Sequence, residues 1–150
     1  GFVMLPLVLP EIIIAVALLV VVRQVLDLDL SNWTVIAAHT LICMPFSIAI
    51  LNGAFSNLDP SFEEAAMDLG EGRWGAFRLV TLPLVMPGIV SSLLICFIIS
   101  LDDFVLAQFL TGSNPTLPVY IYGLTRFVDA LPVIMALGTI LVALSITLLV

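Results

Sequence analysis

Two aspartates, Asp102 and Asp103, stand side by side at the far end of a long apolar run. Ionisable groups at membrane depth are costly, and where they occur they mark pathways. Helical rise puts Asp102 roughly 27 Å beyond Leu84, which predicts a position near the outer end of a span. Two readings follow: an anionic mouth that attracts a polycation, or a hydrated interfacial pair. Adjacent helical residues point about 100° apart, so only one of the two faces a pathway. Glu11 follows Pro10 at a predicted helix start, where a carboxylate suits the dipole, and reads as a capping or loop-pairing group. Arg23 and Asp27 are four apart and predict an ion pair near the interface. His39, one to two turns into an apolar segment, reads as a hydrogen-bonded structural histidine rather than a metal ligand or proton relay. Cys43 and Cys96 read as packing residues. Trp33, Tyr120 and Tyr122 suit either an aromatic belt or a cation–π-lined pathway, the belt being the favoured reading.

Composition narrows the chemistry further. The 150 residues are 62% hydrophobic and 10% charged. Soluble domains run at roughly 45–50% and 25%. With a mean hydropathy of +1.28, the chain cannot cover its own surface with polar groups, so the bilayer is its solvent. The four cations are Arg23, Arg73, Arg78 and Arg126, with no lysine. That excludes a P-loop and a lysine Schiff base. A single histidine excludes HExxH zinc chemistry. A net charge of −7 argues against nucleic acid. Two separated cysteines do not make a zinc site or a disulfide framework. No catalytic constellation, metal site or cofactor is expected, so an intramembrane enzyme is disfavoured.

The elements that must position these residues are membrane spans of about 20 residues each. Four are predicted: residues 7–26, 33–56, 84–110 and 132–150. Pro6 and Pro10 suit a helix start, and Pro45 predicts a kink in the second span. Residues 27–32 form a short polar link. Residues 111–131 open with Thr-Gly-Ser-Asn-Pro, a turn signature. The uncharged stretch 104–125, split by that turn, is not counted as a span. Residues 57–83 read as a long polar loop, since 57–78 carries seven of the fifteen charged residues.

That loop contains a short predicted helix. Asp59 is a good N-cap, Pro60 a good first residue and Gly70 a good C-terminal cap, with Ser61 and Glu64 as an alternative capping box. Phe62, Ala65, Ala66 and Leu69 make one apolar face, with Glu63 and Asp68 off it. So short a helix needs something to dock against. The plainer alternative is a helix lying on the membrane surface. Arg73, Trp74, Phe77 and Arg78 suit interfacial anchoring.

Glu64-Ala65-Ala66, three residues, Gly70, nine residues, Val80, one residue and Leu82-Pro83 resembles the EAA signature of binding-protein-dependent ABC-transporter permeases. Valine stands at position 80 where the family has isoleucine. Leu9-Pro10-Glu11, Ser100-Leu101-Asp102-Asp103-Phe104 and residues 116–122 (Thr-Leu-Pro-Val-Tyr-Ile-Tyr) resemble the spermidine/putrescine branch. The resemblance implies an all-α polytopic membrane protein of a bacterial inner membrane. It implies about four transmembrane helices of a six-helix permease fold, the third to the sixth, in one domain over 1–150. The start without methionine accords with that expectation. The resemblance also implies that 57–83 is a cytoplasmic loop, through which Glu64, Ala65, Ala66, Leu69 and Gly70 couple to a separate ATPase subunit. Residues 27–32 and 111–131 then face outward, where an extracytoplasmic substrate-binding protein would dock. A second permease subunit completes the pathway. Asp102, Asp103, Tyr120 and Tyr122 are the candidate pathway residues. Permeases for another solute, such as an amino acid derivative or a metal chelate, and a membrane scaffold are the competing readings.

Overall fold

The computed structural model describes residues 4, 6 and 8–149. Among these there is no strand. Helix α1 (Glu11–Val20) runs into π-helical turns at Val21–Val25, followed by α2 (Asn32–Ser56) and α3 (Ser61–Asp68). Helix α4 (Arg73–Ala76) passes through π-helical turns at Phe77–Thr81 into α5 (Leu82–Asp102). Short helices α6 (Val105–Leu110) and α7 (Leu117–Leu124) lead to α8 (Leu131–Leu149), entered by a 3₁₀ turn at Val128–Ala130.

Among the described residues, three helical stretches are long and apolar enough to cross a membrane: Asn32–Ser56, Arg73–Asp102 and Val128–Leu148. Their outward faces are oily: Met135, Ile140 and Val142 of α8 are each at least 60% exposed. In water such a continuous apolar surface would drive association, whereas lipid solvates it. The first predicted span is helical but shorter, with ten α-helical and five π-helical residues. Position 7, where it was expected to begin, lies outside the described residues. Helix α2 continues through Pro45, which is buried.

The structure corrects the extent of the polar loop. Residues 73–83 are helical, and the continuous stretch Arg73–Asp102 has 30 residues. That is roughly 45 Å, against about 30 Å of hydrocarbon. Its first turns therefore extend beyond the bilayer core, where arginine and tryptophan are at home. Polarity made these residues read as a loop, although an interfacial helix has the same composition.

The chain forms two compact units, Gly1–Pro45 with Phe97–Val150, and Phe46–Cys96. In the first, α1 packs on α6, and Leu106, Ala107 and Leu110 of α6 are fully buried. The Thr34 hydroxyl of α2 accepts the Ser31 N–H at 2.9 Å and lies 2.8 Å from the Leu110 carbonyl. In the second, Gly88 of α5 faces Ala54 of α2 so closely that a Cβ would fall 2.5 Å from the Ala54 methyl. Small residues allow this backbone approach, the main means by which helices pack in lipid. A polar ladder runs beside it, Ser92 to Ser47 at 3.0 Å and Ser47 to the Cys96 thiol at 3.1 Å.

Candidate functional site

Helix α3 is held at both ends by its own sequence. The Asp59 carboxylate accepts the Ser61 N–H at 2.9 Å. That bond holds the carboxyl below the usual carboxylate range, so it is charged and capping at neutral pH. At the other end the Glu71 N–H bonds the Ala66 carbonyl at 3.1 Å, and the Gly70 N–H bonds that of Met67 at 2.9 Å. Gly70 has φ 96°. This is the Schellman arrangement, and it needs a left-handed residue where glycine stands.

The faces of α3 are not distributed as the spacing suggested. Phe62, Glu64, Ala65, Leu69 and Gly70 are exposed, Leu69 by 88%, and only Ala66 of the apolar face is buried. Glu63, expected off that face and in water, is half-buried and accepts a hydrogen bond from the Thr81 hydroxyl. The hydroxyl at the base of the next helix gives the carboxylate a partner. The helix is thereby turned so that Phe62, Ala65 and Leu69 point away from the rest of its unit, with Ala66 turned inward.

The second candidate lies where α5 stops and α6 begins. Asp102, the last residue of α5, is exposed, and Asp103, just beyond the helix, is buried. Asp103 accepts the Ala107 N–H at 2.9 Å and so caps α6. It also meets His39 Nε2 at 2.9 Å. His39 Nδ1 lies 2.7 Å from the Ser100 hydroxyl. The Glu11 carboxyl, in the first turn of α1, lies beside that of Asp103. Two carboxylates thus sit at the N-termini of two short helices, where peptide dipoles favour negative charge.

Thr34 meets Leu110, and His39, five residues or roughly 7.5 Å further along α2, meets Asp103. The acid pair therefore sits where the helical stretch Arg73–Asp102 ends and the third predicted span is broken before α6. The Tyr122 ring centre is 4.8 Å from that of Phe104, next to the pair. Tyr120 and Trp33 are exposed.

Arg23 pairs with Asp29 at 2.7 Å, not with Asp27. Asp27 adopts φ 50°, which ends the helix and brings Asp29 under the guanidinium. The histidine–aspartate–glutamate association escaped the sequence. A signal existed: three ionisable groups in apolar segments are each costly unless they find one another. Among the described residues no cluster of three His, Cys, Asp or Glu side chains is placed to hold a metal ion.

The fold and these features define an all-α polytopic membrane protein with a short capped helix between long apolar ones. Over residues 1–150 the chain matches the binding-protein-dependent transport system inner membrane component family, and it belongs to that family. It is 35% identical over 137 residues to the spermidine/putrescine transport system permease protein PotC of Escherichia coli (strain K12), covering 91% of this chain and 51% of that protein. To the protein of the same name from Haemophilus influenzae it is 34% identical over 151 residues, covering 100% and 58%. To the putrescine transport system permease protein PotI of Escherichia coli (strain K12) it is 35% identical over 142 residues, covering 91% and 50%. The chain thus spans about half the length of these curated relatives.

Proposed function

We propose that this chain is part of the permease subunit of an ATP-binding-cassette importer that takes up polyamines across a bacterial inner membrane. It performs no bond chemistry itself. Helix α3, in a cytoplasmic segment, docks on a separate ATPase subunit and passes its movements to α4 and α5. A second permease subunit forms the other half of the pathway, and an extracytoplasmic binding protein delivers the substrate to the outer face. Alternating access then arises from two states biased differently by nucleotide and by substrate.

The observation that supports coupling best is the orientation of α3. It is capped at both ends and tied to its own unit through Glu63, yet it leaves Phe62, Ala65 and Leu69 outward. An isolated helix of eight residues is unstable in water and would not keep an apolar face exposed without a partner. For the substrate, Asp102 and Asp103 in a span break offer Coulomb attraction to a cation in a reduced dielectric. Tyr120 and Tyr122 nearby in sequence offer ring faces to ammonium groups. The names of the relatives favour spermidine and putrescine within the cation class.

The test is complementation. A strain lacking polyamine uptake, given the full-length protein with its ATPase, partner permease and binding protein, should accumulate labelled spermidine or putrescine. Accumulation of a neutral or anionic solute instead, with no polyamine uptake, would overturn the substrate assignment.

A further inference from the structure

Glu63 and Thr81, 18 positions apart, tie α3 to the foot of the long helix. Thr81 is only 3% exposed, and its hydroxyl donates to the Glu63 carboxylate. Neither residue belongs to the outward apolar face of α3 or to its caps. We propose that Glu63 and Thr81 are positioning residues for coupling: their hydrogen bond joins α3 to the start of α5, so that a partner docked on Phe62, Ala65 and Leu69 acts on α5 through it. The proposal rests on the importer reading and deepens it by naming the contact that carries the movement.

The links beside this bond grip weakly. The chain itself runs from α3 to α4 through residues 69–72, where Gly70 has φ 96° and Gly72 is extended. Two glycines in four residues make a pliant covalent connection. The apolar link is slight, for the buried residues here are Ala66 of α3 and Ala76 of α4. Methyl side chains pack closely but are too short to interlock, so they let two helices slide or turn past each other. A hydroxyl–carboxylate bond is directional and fixes both distance and angle. Its place in the chain suits the task. Thr81 closes the π-helical stretch Phe77–Thr81, and Leu82 opens α5. A π-helical turn holds more residues than an α-helical one, and such turns inside α-helices are frequent at functional sites. Load applied at its last residue is delivered directly to the helix that follows.

A bond that only stabilised α3 would move the melting temperature and leave transport per ATP alone. A bond that carries movement lowers transport per ATP while docking and ATP hydrolysis persist. Glu63→Ala and Thr81→Val each remove it, and valine keeps the shape of the buried threonine. Because both remove the same bond, the double variant should lose no more than either single one. Glu63→Gln keeps an acceptor oxygen and Thr81→Ser keeps the donor hydroxyl, so each should preserve coupling. One hydrogen bond is worth about fivefold in the balance between joined and separated states.

The experiment measures polyamine transported per ATP in proteoliposomes holding the full-length permease with its ATPase, partner permease and binding protein. Co-purification of the ATPase and the melting temperature are read on the same preparations. Glu63→Ala, Thr81→Val and the double variant are each expected to lower transport per ATP by about fivefold, with the ATPase retained. Glu63→Gln and Thr81→Ser are expected to stay near wild type. Wild-type transport per ATP in Glu63→Ala and Thr81→Val, with Leu69→Asp uncoupled, would overturn this role and leave docking through α3 standing. Loss of the assembled complex in Glu63→Ala and Thr81→Val alike would make the bond structural and overturn the role too. So would a loss in Glu63→Gln and Thr81→Ser as large as that in Glu63→Ala. Wild-type coupling in Leu69→Asp as well would overturn the docking reading, and this proposal with it.

Discussion

Thr34 Oγ1 and the carbonyl oxygen of Leu110 lie 2.8 Å apart, across 76 positions of sequence. This bond fastens the C-terminal end of α6 to α2, as His39–Asp103 fastens its N-terminal end. A six-residue helix has little stability of its own, so these two attachments and the burial of Leu106, Ala107 and Leu110 define it. Replacing Thr34 by the isosteric valine strands the Ser31 N–H and the Leu110 carbonyl. The expected loss is about 1–3 kcal/mol, read as a lower melting temperature of the purified complex in detergent. An unchanged melting temperature would show that water or lipid headgroups already satisfy both groups.

Gly88 and Ala54 set the approach of α5 to α2 within the Phe46–Cys96 unit. Gly88→Leu places four extra carbons where a methyl already leaves 2.5 Å. Overpacking of this kind costs about 1–3 kcal/mol. Reduced yield of folded protein and faster proteolysis are expected, while Gly53→Ala, with open space around it, should behave as wild type. Equal protease resistance of the two variants would mean that the helices separate freely.

The caps of α3 and the helical class of the chain were legible from local chemistry. Asp59, Pro60 and Gly70 act within a few residues, and the Asp59 and Gly70 contacts form as their residue types predict. What was not legible depends on distant partners. Glu63 was expected in water because spacing reports only which residues share a face, whereas Thr81, 18 positions on, decides which face turns inward. Arg23 was expected to reach Asp27 by helical spacing, but the helix ends there with Asp27 at φ 50°. The break after Asp102 carries no proline or glycine to announce it. Asp103 and the turn of α6 it caps provide it instead.

Coupling is tested at Leu69 and Gly70 together. Leu69 is 88% exposed and enters the C-terminal cap through its backbone N–H alone, so Leu69→Asp alters a docking surface while leaving α3 formed. In proteoliposomes holding the whole importer, ATP hydrolysis should persist and polyamine transported per ATP should fall by about tenfold, the effect of about 1.4 kcal/mol in docking. Gly70→Leu should uncouple too. It adds the strain of a left-handed side chain, about 1–2 kcal/mol, which Gly70→Asn should partly relieve. Wild-type transport per ATP in both Leu69→Asp and Gly70→Leu would refute docking through this helix.

Orientation is tested by single cysteines in a background lacking Cys43 and Cys96. Ser113 and Asn57 are both exposed. A thiol at Ser113 should react with an impermeant reagent added outside intact cells, and one at Asn57 should react only after lysis. The opposite pattern would invert the topology and remove α3 from reach of a cytoplasmic ATPase.

The most direct measurement of the central claim is polyamine uptake after the acid pair is neutralised. Asp102→Asn changes an exposed residue that caps nothing, and adding Asp103→Asn retains an oxygen able to accept the Ala107 N–H. Cells carrying the full-length permease, matched for expression by blot, are assayed for initial rates of labelled spermidine and putrescine uptake. Loss of two charges at the break should lower uptake at limiting substrate by about tenfold or more, while basal ATPase activity stays near wild type. Uptake equal to wild type in the double variant, at equal expression, would contradict a cation pathway through Asp102 and Asp103.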